Sequence, residues 1–309
     1  MQSKLMPSTG ESCLQEIKKM NVVMKKLVVW LVLCLFISIL FFRELWTNIG
    51  TLLSFDYIQS HGAYPWFVLL LCFLWIWMKR VEIRRGMQMR RSPFFIAVGL
   101  IMLVVSLTAS LHYSPSPTPD YEFVFFLMLL AYLGIFTIFF GEACLIPSAL
   151  LAIYCFALVF PLLISRYVGT QYSLVTVLIV VSILAAFGYP IASQGQLIHI
   201  HSPANNINIS VFIDAACSGS VSLGVFIAIF ALMMIDIMLP AKKAASLFIF
   251  GVIGTSVQNI LRLLVLILAG YYYGSEALWT AHIYAGYVIF PIWYAFFAYV
   301  YLREVFSLL

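Results

Sequence analysis

Charge is what this sequence has least of. Charged residues make up 9% of its 309 residues, against about a quarter in soluble domains. Hydrophobic residues make up 64%, and the mean hydropathy is +1.05. A globule of this composition does not have enough polar surface to face water, so a soluble protein, a disordered chain and a nucleic-acid-binding protein are all excluded. The composition indicates an integral membrane protein.

Several motifs for metal or protease chemistry are also missing. The six cysteines include no CxxC pair, so neither a disulfide framework nor a zinc site is indicated. There is no HExxH motif, no Gly-x-Ser-x-Gly motif, and no aspartate pair in apolar spans suited to an aspartyl dyad. His199 and His201 share a face of an extended segment and offer two metal ligands, but no third is in reach. We therefore expect neither a metal nor a cofactor.

What the sequence does have is nine apolar blocks, most of them close to the roughly 20 residues that a helix needs to cross a bilayer. They cover residues 27–42, 64–78, 94–111, 121–140, 145–164, 172–187, 221–239, 244–271 and 278–302. A basic tail, residues 1–26, precedes the first block. The residues after that block, Arg43-Glu44-Leu45-Trp46, lack the small-residue pattern of a signal cleavage site, so we predict a retained span with a cytoplasmic N-terminus.

The distribution of cations decides the number of crossings. The basic loop at residues 79–91 is predicted to be cytoplasmic, and the uncharged connector at 114–119 is predicted to lie outside. Nine crossings would put Lys242 and Lys243 outside, whereas eight put them inside if block 172–187 does not cross. We therefore predict an all-α polytopic protein with about eight transmembrane helices. Its parts are a tail (1–26), a five-span region (27–165) and a C-terminal core (166–309) that begins with an outer-face interfacial helix and extended segments at 166–216.

Arg262 is the one cation that this topology leaves inside a span, since 14 of the 17 basic residues become cytoplasmic and Arg43 and Arg166 lie outside. It follows Ala244 by 18 residues, or about 27 Å of helix, which puts it near the outer boundary. A cation within a span costs at least about 2.5–3.5 kcal/mol, so such residues are candidates for function. The structural alternative is an arginine that extends to the outer headgroups or joins two helices.

Cys217 and His282 are predicted to lie at the same outer depth as Arg262. Cys217 precedes a span in Asp214-Ala215-Ala216-Cys217-Ser218-Gly219-Ser220, where a helix N-terminus is expected to lower the thiol pKa and to offer N–H groups to an oxyanion. His282 opens the last span, and its structural alternative is an ordinary interfacial polar residue. A thiol, a base and a cation at one depth are the groups that covalent acyl transfer requires.

The order of these motifs resembles the exosortase/archaeosortase family of membrane cysteine transpeptidases over roughly residues 160–295. The motifs are Ala216-Cys217-Ser218-Gly219, then Asn259-Ile260-Leu261-Arg262, then His282 followed by Gly286. The resemblance implies that Cys217 is the nucleophile and that Arg262 and His282 complete a triad. The residues expected to support catalysis or bind substrate are Asn259, Ser218, Gly219 and Asp214.

The resemblance also implies the substrates and the location. Family members process exported proteins that end in a short motif, a hydrophobic helix and a basic cluster, and an acceptor such as a lipid or amine takes the product. We expect a protease or transpeptidase in the cytoplasmic membrane of a bacterium or archaeon, with its active site facing outside and membrane lipid around it. The alternatives are a transporter lined by Arg262, Asn259 and His282, or a non-catalytic assembly protein.

Overall fold

A computed structural model describes residues 9–52, 54, 64–88, 92–112, 121–203 and 206–307. The connector at 114–119 and the two arginines at 90 and 91, for which the sequence predicted sides of the membrane, lie outside the described residues. The chain divides into two compact units. One comprises Met1–Gly62 with Leu69–Ala152, and the other comprises Ala63–Val68 with Ile153–Leu309.

The N-terminal half is helical in all its described regular structure. Its helices are α1 (Thr9–Phe41), α2 (Arg43–Thr47), α3 (Ile49–Leu52), α4 (Tyr64–Met78), α5 (Arg80–Gly86), α6 (Pro93–His112), α7 (Tyr121–Phe140) and a 3-10 helix (Gly141–Cys144). Helices α6 and α7 cross closely at two glycines, because a Cβ atom on Gly99 would lie 2.6 Å from the carbonyl oxygen of Gly134. Small residues at such a crossing let two apolar helices approach without side chains between them.

The C-terminal half contains helices and a small sheet. Its elements are α8 (Leu145–Ala186), β1 (Ile191–Gln194), β2 (Leu197–Ser202), β3 (Ile207–Phe212), α9 (Ser220–Asp236), α10 (Ala241–Tyr273) and α11 (Ser275–Phe306). The three strands are antiparallel in the order β1-β2-β3, with Ile191 opposite Ile200 and Leu197 opposite Phe212. The extended segments predicted before the cysteine motif are therefore strands of one sheet, and the description of the chain as all-α needs that correction.

The prediction of a separate helix over residues 172–187 is wrong. Residues 145–186 form the single helix α8, 42 residues or roughly 63 Å long. Two hydroxyl-bearing residues of this segment bond back within the helix, since Ser173 Oγ donates to the carbonyl of Gly169 and Thr176 Oγ1 to that of Tyr172 (2.8 and 2.9 Å). Gly169 also packs closely against Ala215, because a Cβ on Gly169 would lie 3.3 Å from the Cβ of Ala215.

Five helical stretches of the described residues are long and apolar enough to cross a membrane. They are Met20–Phe41, Pro93–Leu111, Tyr121–Ala186, Ala241–Tyr273 and Ser275–Phe306, and the shorter apolar helices are Tyr64–Met78 and Ser220–Asp236. The 66-residue stretch Tyr121–Ala186 includes both α7 and α8. The polytopic helical character predicted from the sequence is confirmed, while the count of eight crossings stays a prediction.

An apolar cluster in the second unit attaches the sheet to the helices. It buries Val180 and Leu184 of α8, Ile198 and Ile200 of β2, and Ile267 of α10, each at most 2% exposed. Ser202 Oγ of β2 also donates to the main-chain oxygen of Tyr271 near the end of α10 (3.0 Å). The thiol-bearing residue Cys217 packs against this cluster. The sheet therefore holds the segment before α9 in a fixed position relative to α10.

Candidate active site

Cys217 lies in a tight turn between β3 and α9 that Asp214 organises. The carboxylate Oδ1 of Asp214 accepts the N–H of Cys217 (2.7 Å). The main-chain oxygen of Asp214 accepts both the N–H and the hydroxyl of Ser218 (3.0 and 2.7 Å). Asp214 is exposed, Cys217 is half-buried and Ser218 is buried. The turn thus fixes the cysteine backbone and leaves its side chain at the edge of the apolar core.

Asn259 of α10 holds the other side of this turn. Its Nδ2 donates to the main-chain oxygen of Cys217 (3.0 Å), and its side chain is 1% exposed. Gly219, which caps the N-terminus of α9 with φ +110°, lies directly against it, because a Cβ on Gly219 would be 3.0 Å from Asn259 Cγ. Both the left-handed backbone and the close approach require glycine there. The two predicted motifs are therefore in direct contact.

Arg262 lies one helical turn beyond Asn259 and contacts α11. Its Nη2 donates to the main-chain oxygen of His282 (3.2 Å), and its guanidinium carbon lies 5.9 Å from the ring centre of Phe290. A Cβ on Gly286 would lie 3.6 Å from Arg262 Nε, so Gly286 lies directly beside the guanidinium. The His282 ring packs edge-to-face on Trp279, with ring centres 5.6 Å apart. Arginine and histidine are thus positioned by the same stretch of α11.

The charges of this cluster act on one another. The positive charge of Arg262 acts both on the Cys217 thiol and on the His282 ring, and the carboxylate of Asp214 acts on the same two groups. Burial, followed by the charge and side-chain hydrogen bond of Asp214, raises the pKa of Cys217 to about 11, although the charge of Arg262 acts to lower it. The lowered thiol pKa expected from the helix N-terminus is therefore wrong for this structure. Cys217 lies before the helix, and burial dominates.

The N–H groups beside Cys217 are already used within the turn. Cys217 and Ser218 donate to Asp214, Gly219 donates to the carbonyl of Ala216 (3.2 Å), and Ser220 donates to that of Ala215 (3.3 Å). These four N–H groups are therefore not free to bind an oxyanion, and an oxyanion site on the later N–H groups of the first turn stays a prediction. Arg262 keeps a buried Nε with no partner, so it is the better donor for developing negative charge.

The structure thus brings together all seven residues predicted for the site. The two histidines of β2 lie apart from this constellation: His199 Nδ1 pairs with Ser210 Oγ (2.9 Å) and His201 Nδ1 with Asn208 Oδ1 (2.8 Å). Over the described residues, no group of three metal-binding side chains occurs. Gln258, which is 4% exposed on the same helix, was not predicted from the sequence. Its signal was a second amide immediately before Asn259 in an otherwise apolar span.

Comparison with known proteins supports the resemblance found in the sequence. The model of a family described as transmembrane exosortase matches residues 46–299. No curated protein and no solved structure matches the chain. The match extends well before the quoted motifs and includes most of the N-terminal half.

The apolar helices and this match define a multi-pass integral membrane protein. The chain belongs to the transmembrane exosortase family. It is therefore a membrane protein of the sortase-like transpeptidase class, whose substrates are exported proteins.

Proposed function

We propose that this protein cleaves exported proteins at a C-terminal sorting signal through a thioester on Cys217. The signal implied by the family resemblance is a short motif, a hydrophobic helix and a basic cluster. One observation carries the proposal: the positive charge of Arg262 acts on both the thiol of Cys217 and the ring of His282, and Arg262 Nη2 donates to the main-chain oxygen of His282. These are the nucleophile, base and electrostatic stabiliser of covalent acyl transfer.

The first step forms the carbon–sulfur bond. His282 accepts the thiol proton of Cys217, and the sulfur attacks the carbonyl carbon of the scissile peptide while the carbonyl electron pair moves to oxygen. The ordinary pKa of histidine lies near neutrality, which suits it to take up and return a proton. Arg262 is charged at any physiological pH and stabilises the oxyanion.

The second step breaks the peptide bond. The oxyanion re-forms the carbonyl, the carbon–nitrogen bond breaks, and the proton on His282 passes to the departing amine of the C-terminal helix. A thioester between Cys217 and the exported protein remains. A lipid headgroup, an amine or water then attacks the thioester carbonyl, and His282 takes the proton of that nucleophile. The carbon–sulfur bond breaks, and the departing thiolate takes the proton from His282 to regenerate the thiol.

Four further residues hold the nucleophile in place. Asn259 and Asp214 hydrogen-bond the main chain of Cys217 from opposite sides, at 3.0 and 2.7 Å. Ser218 closes the turn and Gly219 permits the approach of α10. We assign Asn259 and Asp214 supporting roles because their side chains bond the main chain of Cys217. We assign Ser218 and Gly219 supporting roles because they shape the same turn.

We place this site at the outer face of the cytoplasmic membrane of a bacterium or archaeon. The substrate helix enters laterally among the spans, so its recognition motif reaches the outer surface beside Cys217. The basic cluster of the signal then stays on the cytoplasmic side, as the distribution of cations in membrane proteins favours.

The experiment that tests this function compares two cysteine variants in cells that express a tagged exported protein with such a signal. Cys217→Ala should abolish the shift in mass that accompanies removal of the C-terminal helix, because no thioester can form. The matched control is Cys155→Ala, which removes another half-buried free thiol and should process normally. Normal processing by Cys217→Ala at equal protein level would overturn the mechanism and favour a non-catalytic assembly role.

A further inference from the structure

The face of α10 that bears Asn259 and Arg262 also carries an amide with no partner. Thr255, Gln258, Asn259 and Arg262 are spaced by three or four residues and so share one face of the helix. Thr255 Oγ1 accepts a hydrogen bond from Trp293 (3.0 Å), Asn259 donates to Cys217, and Arg262 donates to His282. Gln258 is 4% exposed, and neither its Nε2 nor its Oε1 has a hydrogen-bond partner.

Burying the amide of Gln258 without a hydrogen-bond partner destabilises the protein unless a ligand supplies that partner. A buried donor and acceptor without partners lose their hydration and gain nothing, whereas an apolar side chain of the same shape has no such loss. Three further buried atoms on or near this face also lack partners: Asn259 Oδ1, Arg262 Nε and Ser220 Oγ. Unpaired polar atoms therefore continue from the reactive centre towards Gln258, one turn along α10 from Arg262.

The chemistry of a carboxamide limits what pairs with it. Gln258 presents a donor group and an acceptor group on one planar amide. This pair matches the N–H and the C=O of one residue in an extended chain, which point to the same side. A peptide attacked by a nucleophile must be extended locally, so the main-chain groups next to the scissile bond lack helical partners. In apolar surroundings these groups have to be satisfied by protein.

We propose that Gln258 binds the main chain of the substrate next to the scissile bond, with Nε2 donating to a carbonyl and Oε1 accepting an N–H. This inference rests on the proposed function and adds a substrate-binding residue to it. Because it recognises main chain, Gln258 contributes affinity for an unwound segment irrespective of its side chains. It also fixes the register of the peptide relative to Cys217.

The test measures binding without chemistry. The probe is a fluorescent peptide comprising the motif, helix and basic cluster of an exported protein from the same genome, and the receptor is the full chain carrying Cys217→Ala in detergent. Gln258→Leu should weaken binding at least tenfold while leaving the midpoint of thermal unfolding unchanged or higher. Val257→Leu, on the exposed side of the same helix, is the matched control and should bind normally.

A second measurement separates binding from a structural role. Replacing single peptide bonds of the probe by esters removes one N–H at a time. For the Cys217→Ala protein, an ester at one position near the scissile bond should lower the affinity for the probe. In the double variant Cys217→Ala, Gln258→Leu, an ester at the same position should cause no further loss. Gln258→Met serves in the same cycle if the leucine variant does not fold.

Two outcomes would overturn the inference. One is unchanged affinity in the folded Gln258 variants, which would mean that internal water satisfies the amide. The other is an ester effect that persists without Gln258. Both are distinguishable from failure of the proposed function, in which the wild-type chain leaves the same peptide uncleaved and Cys217→Ala does not bind it.

Discussion

At the scale of single residues, the reactivity of Cys217 depends on opposing effects on one thiol. Burial and the neighbouring carboxylate of Asp214 raise its pKa to about 11, while the charge of Arg262 lowers it. Only roughly one thiol in ten thousand is ionised at pH 7 with such a pKa. The thiol of Cys217 is thus protonated at neutral pH, so the proposed attack needs a base. In the proposed mechanism His282 is that base.

The raised pKa predicts how Cys217 reacts with an alkylating reagent. Only the thiolate reacts, so the rate with iodoacetamide should rise about tenfold per pH unit from pH 7 to about pH 10 without reaching a plateau. An ordinary exposed thiol would level off above its pKa of about 8.5. Mass spectrometry of the peptide that contains Cys217, taken at timed intervals from the detergent-solubilised protein, measures this rate.

Two variants give the control for this measurement. Asp214→Asn removes a negative charge but keeps an oxygen that accepts the N–H of Cys217, so alkylation at pH 8 should become faster. Arg262→Gln removes the opposing positive charge and should make it slower. If the alkylation rate of wild-type Cys217 instead reached a plateau below pH 8, its pKa would not be raised. That result would favour a thiolate stabilised by the helix N-terminus.

The residue types of the site could be predicted from the sequence, but their electrostatics could not. Arg262 and His282 stand out because polar residues are rare in apolar spans, and Cys217 stands out by its small, flexible neighbours. The thiol pKa depends instead on burial against β2 and α10 and on the side-chain position of Asp214. These contacts join parts of the chain that are distant in sequence, so the pattern around Cys217 predicted the opposite shift.

At the scale of elements, hydropathy predicted where the apolar helices lie but not where one helix ends and the next begins. The sequence analysis separated blocks 145–164 and 172–187 at residues 165–171, which include Ser165, Arg166 and Gln171, and predicted that the second block does not cross. The structure continues α8 through these residues, and the hydroxyls of Ser173 and Thr176 donate to carbonyls within the helix. A polar interruption does not by itself end a helix, since nothing in this segment prevents helical dihedral angles.

Helix packing around the site leads to a prediction for Gly251 of α10. A Cβ there would lie 2.0 Å from the ring of Phe226 in α9 and 2.9 Å from Phe297 in α11. Gly251→Ala should therefore push these helices apart, cost about 1–3 kcal/mol of stability and move Asn259 and Arg262 relative to Cys217. The expected results are a lower midpoint of thermal unfolding in detergent and a slower cleavage rate per folded molecule.

The matched control is an equally tight glycine in the other unit. A Cβ on Gly99 of α6 would lie 2.6 Å from the main-chain oxygen of Gly134 in α7. Gly99→Ala should lower thermal stability to a similar extent while the folded fraction cleaves at the wild-type rate. Equal losses of cleavage rate in the two variants would show that the packing of α10 has no special part in positioning the site.

At the scale of the whole molecule, membrane topology decides which side the site faces. In the second unit, α10 and α11 run antiparallel. Lys243 in the first turn of α10 pairs with Glu304 near the end of α11 (3.0 Å), while Arg262 meets His282 towards their other ends. The basic residues Lys242, Lys243 and Arg303 thus lie at one end of this helix pair, and the candidate site lies towards the other. Because cations favour the cytoplasmic side, we expect the site to face outside.

This topology is tested at the two ends of α10, Ala241 and Tyr273, which are exposed and roughly 48 Å apart along the helix. In a background where the native cysteines are serine, Tyr273→Cys should react with a membrane-impermeant maleimide in intact cells. Ala241→Cys should react only after permeabilisation, because it adjoins the cytoplasmic Lys242 and Lys243. Folding of both variants is checked by their thermal unfolding, and labelling of Ala241→Cys in intact cells would reverse the orientation. The reactive thiol would then face the cytoplasm, where a protein already exported has no access to it, so this result would also exclude the proposed cleavage.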